Sequence, residues 1–408
     1  MATGSVAEAV QFSTFKRASS SPVWDRVRSW WIPTSAEQLA QAEAALLKVV
    51  PREVQILDVP AGPDGHYIHT LRVKADAAAA GAAHTGGLAP VVLIHGYFMG
   101  SASWAHSLAP LAEAGHEVLA VDWPGWGLSS RPDFPLGQGP EACEGFFVEQ
   151  IEDWRKSLGL GRMVLLGHSF GGYFAACYAM KYPQHVENLI LASPVGMGEK
   201  QPGSRFSDPE KRKELPLWQR ALVSVAESMW EARFTPMGVV KGLGPFGSRL
   251  TGWYVDRRFE NVRAAGTMEA DKEATQNYLT HLGAQPGGSE YCLGELLEFG
   301  VWARLPIAKR LAEKMKALGE QHRVPPMTIL YGEADWMDAA TGVWLAGELA
   351  GTGCASASSE PGPEVIRVQG AGHQLFLDNP RAFNAAVRRA LGIGPPSVDG
   401  LYHQILPC

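Results

Sequence analysis

From Pro90 onward the chain alternates short, wholly apolar runs with longer stretches whose apolar residues return every three or four positions. The runs at 91–95, 117–122, 163–168 and 188–192 read as buried strands, and the stretches at 104–114, 141–157 and 170–180 as amphipathic helices. In the 141–157 stretch Phe146, Phe147, Ile151 and Trp154 share the apolar side. This order predicts an α/β fold, a mostly parallel sheet with helices on both faces. The alternation lapses between Val195 and His322, where Pro and Gly interrupt amphipathic pieces at 215–230 and 290–310. It resumes with a strand at 327–331, a helix at 341–349, a strand at 365–368 and a helix at 380–391. The lapse reads as a helical cap inserted into the sheet domain. The expected layout is a core of 51–196 and 323–395, a cap of 197–322 and a tail of 396–408, preceded by an N-terminal segment of 1–50.

That N-terminal segment has its own pattern. After Pro22, the residues Val23, Trp24, Val27, Trp30 and Trp31 fall at i, i+1, i+4, i+7 and i+8, which gathers three tryptophans on one helical face. Arg26 and Arg28 lie off that face, and Lys16 and Arg17 precede it. Two readings stay open: an element lying in a membrane or lipid-droplet interface through Trp24, Trp30 and Trp31, or a strap whose tryptophans dock on the body of the protein. Thr34-Ser35-Ala36-Glu37 then reads as a capping box opening a helix through Leu39, Ala42, Leu46 and Leu47. Residues 54–59 and 66–73 read as two strands, and 75–89 and 351–363 as surface loops.

Bulk composition narrows the field. A 408-residue chain that is 46% hydrophobic can fill a large core, and a formal net charge of −6 with no zinc-finger, RNA-binding or P-loop pattern argues against nucleic acid as a partner. The five cysteines, Cys143, Cys177, Cys292, Cys354 and Cys408, lack C-x-x-C spacing and read as free thiols of a reducing compartment. No metal and no resident cofactor is expected. No apolar run is long enough to span a bilayer, so no spanning helix is expected. The expected location is cytoplasmic, peripherally associated with lipid droplets or membranes. The acid-poor, serine-containing start leaves a short organelle transit segment open.

The chemistry centres on Gly167-His168-Ser169-Phe170-Gly171, set between the apolar run at 163–166 and the helix that follows. A serine hydroxyl needs exposure, one rotamer and a neighbouring base to act as a nucleophile. Glycines at both flanks remove the side chains that would clash where strand and helix meet, leaving Ser169 at the tip of a sharp turn. With 45 glycines in the chain the five-residue pattern carries weight only through its strand–turn–helix setting, which is present. The remaining parts follow in the expected order. His95-Gly96-Tyr97-Phe98 after an early strand places the backbone N–H of Tyr97 as one oxyanion donor, and the N–H of Phe170 at a helix mouth is the second. Asp335, three residues past the glycine that ends the 327–331 strand, is the favoured acid. Asp338 is the alternative, and also suits capping the next helix. His373, in Gly370-Ala371-Gly372-His373 after the 365–368 strand, is the base; His95, His116 and His185 read as structural.

Gly-His-Ser-Phe-Gly-Gly-Tyr at 167–173, Gly125-Trp126-Gly127, Ser129-Ser130-Arg131-Pro132-Asp133-Phe134 and Trp154-Arg155-Lys156 together resemble one branch of the α/β-hydrolases. That branch holds the lipid-droplet coactivator of adipose triglyceride lipase and its plant and fungal relatives, described as soluble lysophosphatidate acyltransferases and phospholipid acyl hydrolases. Trp31-Ile32-Pro33-Thr34-Ser35, Val301-Trp302-Ala303-Arg304, Asp335-Trp336-Met337 and His373-Gln374-Leu375-Phe376-Leu377-Asp378 extend the match over most of the chain. The resemblance implies an α/β-hydrolase fold and lipid-ester chemistry. It also marks a difference, since the animal coactivator carries asparagine where this chain has Ser169. His373 and Asp378 match the H-x4-D pattern quoted for glycerophospholipid acyltransferases, which implies acyl-CoA as an alternative co-substrate.

Three expectations follow. The first is a serine-dependent acyl hydrolase or acyltransferase acting on phospholipid, lysophospholipid or acylglycerol through an acyl-enzyme. The second is acyl-CoA-dependent acylation of lysophosphatidate through His373 and Asp378. The third is an adaptor on a membrane or lipid-droplet surface with a lipase as partner. Basic residues of the cap, Arg205, Lys211, Arg212, Lys213, Arg257 and Arg258, read first as a solvated face and second as a phosphate-headgroup contact.

Overall fold

The computed structural model describes residues 31–32, 34–76, 88–200, 209–264, 270–319, 323–350, 363–395 and 397–405. Trp24, Trp30, Lys16, Arg17, Arg26, Arg28 and Arg205, and most of the 75–89 and 351–363 loops, lie outside the described residues. The described strands are β1 (Gln55–Pro60), β2 (Tyr67–Val73), β3 (Val91–Ile94), β4 (Val118–Val121), β5 (Met163–His168), β6 (Val186–Ala192), β7 (Leu297–Glu298), β8 (Trp302–Ala303), β9 (Met327–Gly332), β10 (Glu364–Val368) and β11 (Tyr402–Gln404). Nine of them form one sheet in the order β1-β2-β4-β3-β5-β6-β9-β10-β11. Pairing is parallel from β4 through β10 and antiparallel at both margins, β1–β2, β2–β4 and β10–β11.

Every residue of β3, β4, β5 and β9 is buried, which is why these runs are apolar without alternation. Helices cover both faces. Ala105–Glu113 packs with Pro380–Ala390, while Phe170–Lys181 packs with Pro140–Ser157 and Ile307–Gly319. Ile94 pairs with Gly167, Ala192 with His168 and Leu330, and Val368 with Gly332, so the carboxyl ends of β3, β5, β6, β9 and β10 share one edge. In a sheet of this kind that edge is where ligands bind.

Three sequence expectations change. The 290–310 piece is not a single amphipathic helix: Cys292–Leu296 ends in the β7–β8 hairpin, which turns through Gly300 at φ 91° and Val301 at φ 69°. The Ile307–Gly319 helix, grouped with the cap by sequence, packs on the core helices Phe170–Lys181 and Ala339–Leu349. The segment expected as a tail contributes β11, antiparallel to β10, with Tyr402 buried and its hydroxyl donating to the Pro395 carbonyl at 2.6 Å. The remaining cap helices include Leu217–Glu231, none of whose residues is buried although Trp218, Leu222, Val225 and Met229 form an apolar stripe.

The N-terminal helix Ala36–Leu46 opens on Ser35, whose hydroxyl accepts from the Gln38 N–H at 3.1 Å. It delivers Glu43 into a buried polar network. His69 Nε2 lies 3.0 Å from Glu43 Oε1 and its Nδ1 lies 3.2 Å from Asp58 Oδ1, so both ring nitrogens face carboxylates and the ring is satisfied as an imidazolium. Burial pulls the His69 pKa down, but the Glu43 charge and the hydrogen bonds to Asp58 and Glu43 outweigh it and hold it well above the ordinary value.

A group raised in the folded state contributes stability in full below its unfolded pKa of about 6.5, and loses it as pH rises through the higher folded value. The urea midpoint of the wild type therefore falls as pH is raised above about 6.5, and His69→Leu removes that dependence. At pH 6 the variant is about 3–5 kcal/mol less stable, because Glu43 is left buried without its cation. Parallel midpoint curves for the two proteins would dismiss the ion pair.

Candidate active site

Ser169 follows β5 directly and opens the Phe170–Lys181 helix with φ 54° and ψ −115°, a backbone conformation costly for a residue with a Cβ. Its N–H donates to the Ala192 carbonyl at 2.9 Å and its carbonyl accepts from Tyr173 and Val195, which fixes the turn from both sides. The flanking glycines are required sterically. A Cβ on Gly167 would sit 2.2 Å from the Gly171 carbonyl oxygen, and a Cβ on Gly171 would sit 2.1 Å from that of Ile94 at the end of β3. The two glycines thus let the new helix press against the neighbouring strand, leaving the serine side chain at the sheet edge.

The turn after β3 reaches this serine through Gly96, whose missing Cβ would lie 3.0 Å from Ser169 Cβ and 2.7 Å from His168 Nδ1. Its orientation is set by His95. Burial pulls the His95 pKa down to about 4 against the opposing pull of Asp122, so the ring is neutral. Its Nδ1–H donates to the Gly96 carbonyl at 2.8 Å while Nε2 accepts from the Trp123 N–H at 3.2 Å. Because C=O and N–H of one trans peptide point opposite ways, anchoring the Gly96 oxygen aims the Tyr97 N–H. Trp126 seals the turn, donating Nε1–H to the Met99 carbonyl at 2.6 Å and packing edge-on to the Tyr97 ring. The Phe170 N–H lies in the first turn of its helix, where no intrahelical acceptor exists and the helix dipole is positive.

His373 Nε2 lies 3.1 Å from Ser169 Oγ, and its Nδ1 lies 3.1 Å from Asp335 Oδ1. This is the tautomer a general base needs, with the proton on Nδ1 held by the carboxylate and Nε2 open to the hydroxyl proton. Gly332 allows the two loops to meet, since a Cβ there would be 2.2 Å from the Gly372 carbonyl oxygen. Burial pushes the Asp335 pKa up, but hydrogen bonding and charge from His373, then the Ser193 hydroxyl and the Met337 N–H, carry it below the ordinary carboxylate value. Asp338 lies elsewhere in the same loop: its Oδ1 accepts from the Ala340 N–H at 2.9 Å and caps the Ala339–Leu349 helix. Asp378 is fully buried, and its Oδ2 accepts from the Gly372 N–H at 2.8 Å, bracing the loop that carries His373.

Two residues were not singled out from the sequence. Ser193, directly after β6 with φ 46°, donates its hydroxyl to Asp335 Oδ2. His168, the residue before the serine, donates Nε2–H to the His373 carbonyl at 2.7 Å. Ser193 has the same post-strand position as the other site residues, which was the one signal available. His168 lies within the motif around Ser169, but at a position to which the motif assigns no role.

Ser169 and His373 are themselves buried. The Trp336 ring lies 4.9 Å from that of His373, and cap helix Gly247–Ala264 adds Tyr254, whose hydroxyl accepts from Gln374 Nε2 at 3.0 Å and whose ring meets Phe98 edge-on. Two open cavities, of about 600 Å³ beside Glu144, Cys177 and Arg310 and about 720 Å³ beside Ala45 and Asn277, include none of these residues. Of the cap's basic residues, Arg212 pairs with Glu227 and Lys213 with Glu210, while Arg257 lies over the Trp253 ring. Glu43, His69 and Asp122 hold ligand-type atoms within 4.8 Å of one another. Their oxygens are engaged by His69, Ser101 and the backbone of Ser101 and Leu128, which makes them a closed hydrogen-bond network rather than a cage for an ion.

Comparison with known proteins agrees with this architecture. The family described as alpha/beta hydrolase fold matches residues 89–380. An Arabidopsis thaliana protein named 1-acylglycerol-3-phosphate O-acyltransferase is 33% identical, covering 88% of this chain and 81% of its own. A Bos taurus protein named (lyso)-N-acylphosphatidylethanolamine lipase is 30% identical, covering 87% and 91%. Among solved structures, the naproxen esterase of Bacillus subtilis superposes with a TM-score of 0.54 at 16% identity, covering 86% of this chain and 96% of that one, a likeness of fold.

The geometry separates the two aspartates. Asp335→Asn is expected to lower kcat on a soluble ester by about 10⁴ while the fold stays intact, because the amide favours the wrong imidazole tautomer. Asp338→Ala should cost only about 1 kcal/mol of stability as a lost cap and leave the rate unchanged. A reversed pattern in esterase assays and thermal melts would move the acid to Asp338. Gly171→Ala is expected to destabilise by about 3 kcal/mol or more, since backbone rather than a flexible side chain blocks its Cβ.

Proposed function

Because the chain belongs to the alpha/beta hydrolase fold family, we propose that it is a serine-dependent acyl hydrolase and acyltransferase of glycerophospholipids or lysophospholipids, working at a lipid surface. The observation that carries this reading is the unbroken relay from Ser169 Oγ through His373 to Asp335, at 3.1 Å on each side of the imidazole. In the first half-reaction Ser169 Oγ attacks the ester carbonyl carbon as its proton passes to His373 Nε2. The oxyanion is held by the N–H groups of Tyr97 and Phe170, each contributing about 10²–10³ in rate. The tetrahedral intermediate collapses, and the departing alkoxide takes the proton from His373. A second hydroxyl then gives its proton to His373, attacks the acyl carbonyl and releases Ser169 reprotonated. Water in this role gives hydrolysis; a lysophospholipid hydroxyl gives transfer.

The names of the relatives describe both outcomes, an O-acyltransferase acting on a 1-acylglycerol-3-phosphate and a lipase. One acyl-enzyme reaches either product, so the two names do not require two sites. Direct transfer from acyl-CoA through His373 and Asp378 is the weaker alternative. Both ring nitrogens of His373 are already engaged by Ser169 and Asp335, and Asp378 serves the backbone of Gly372.

Purified wild type and Ser169→Ala incubated with acyl-labelled phospholipid, with and without acyl-CoA, decide the matter. The expected result is release or transfer of label by the wild type without acyl-CoA, and loss of about 10³ or more in the variant. Equal, acyl-CoA-dependent acylation of a lysophospholipid by both proteins would replace the acyl-enzyme by the histidine-only route. Lipid turnover in a reconstituted lipase mixture that survives Ser169→Ala, with no activity of the chain itself, would leave the adaptor reading.

A further inference from the structure

We propose that the outer face of the cap helix Gly247–Ala264, continued by the Gly244–Phe246 turn and by Trp31, docks the protein on an anionic glycerophospholipid surface. The proposal rests on the lipid-ester reading above and names the surface that reading requires. The helix has already met its need for burial on the opposite side, where Gly247, Thr251 and Val255 are covered. With Phe246 of the preceding turn it nevertheless presents Leu250 and Trp253, at i, i+4 and i+7, with exposures of 56%, 37% and 57%. A second apolar stripe on a helix whose first is buried marks a face made for another phase or partner.

Charge selects the occupant. Arg249 and Arg257 fall on the same face, and their guanidinium carbons lie 5.2 Å from the centroids of the Phe246 and Trp253 rings. Each exposed ring thus carries a cation at its own level, as an interfacial helix needs when rings enter the acyl boundary and cations meet phosphates. Neutral oil offers those cations no counter-charge. A second copy of this face would set like charges against each other.

Trp31 lies at the same place. Trp31, 41% exposed, packs its indole and its carbonyl against Gly244, where a Cβ would come within 2.6 Å of the indole. Leu243, 42% exposed, lies beside it in sequence. On the inner side, Tyr254 follows Trp253 and hydrogen-bonds Gln374, the residue after the candidate base. One helix therefore carries the docking face outward and, inward, a contact with the residue next to His373.

The test uses full-length Ser169→Ala protein, so that binding is read without turnover, with phosphatidylcholine vesicles containing or lacking phosphatidic acid. The parent is expected to sediment with both and more tightly with the anionic vesicles. Phe246→Ser/Trp253→Ser should weaken binding to both by about tenfold or more. Arg249→Gln/Arg257→Gln should weaken binding to the anionic vesicles alone, by about fivefold per arginine, and leave the apolar packing untouched in case the serine pair folds poorly. Unchanged binding by either pair overturns the proposal. So does an arginine effect equal on both vesicles, or a loss of self-association in place of vesicle binding, which would assign the face to a second copy. In the Ser169-containing protein the Phe246→Ser/Trp253→Ser pair keeps its turnover of a soluble ester. If vesicle binding behaves as stated while wild-type turnover of lipid is absent, the docking face stands and the acyl-enzyme reading falls.

Discussion

The contact between Gly171 and the end of β3 is the constraint on which the rest of the site depends. With the Ile94 carbonyl oxygen only 2.1 Å from where a Cβ would sit, the helix after Ser169 cannot lie where it does with any larger residue. That close approach has three consequences. It turns Ser169 out at the sheet edge, sets the Gly96 turn against its Cβ, and points the first N–H groups of a helix at the same spot. The placing of the Tyr97 and Phe170 N–H groups near Ser169 thus follows from how that serine is mounted. His95 completes the arrangement as a neutral ring, and its neutrality matters, because Nε2 must accept from Trp123 while Nδ1–H donates to Gly96.

The relay is braced from behind at every joint. Asp335 accepts from His373, Ser193 and the Met337 N–H, and this set of donors keeps a buried carboxylate ionised. His168 holds the His373 carbonyl and Asp378 holds the Gly372 N–H, so the loop carrying His373 is tied to the elbow on one side and to its own following turn on the other. A misplacement of about 1 Å can cost about 10²-fold in such machinery, which gives these supports weight although none of them would touch a substrate.

The buried strands, the cap insertion and the strand–turn–helix around Ser169 were legible because each rests on local pattern: apolar runs too short for helices, and glycines where strand meets helix. His373 was legible from its post-strand glycines. The choice between Asp335 and Asp338 was not, because both fall in one loop and only the path of Gly332 past Gly372 decides which reaches the imidazole. Ser193 and His168 act through contacts across the sheet edge that spacing does not reveal, although His168 stands inside the motif around Ser169. The β7–β8 hairpin hid inside an amphipathic stretch, and β11 is a three-residue strand that exists only because β10 offers it an edge. Helical periodicity announced amphipathic cap pieces, but it cannot say whether an apolar stripe is covered. Leu217–Glu231 and the outer side of the Gly247–Ala264 helix at Leu250 and Trp253 are not.

The cap also bears on the partition between hydrolysis and transfer under the proposed mechanism. Ser169 and His373 are buried, the Trp336 ring lies against that of His373, and Tyr254 of the cap hydrogen-bonds Gln374 and meets Phe98, so the cap reaches the residues around the site. An acyl-enzyme formed beneath a closed cap is shielded from bulk water, and exclusion of water suppresses hydrolysis of a reactive intermediate. A lysophospholipid arriving from the surface that supplied the first lipid brings its hydroxyl to the serine without passing through bulk water. Under that mechanism the balance between hydrolysis and transfer would follow from how well the cap excludes water from the acyl-enzyme, with Ser169, His373 and Asp335 the same in both.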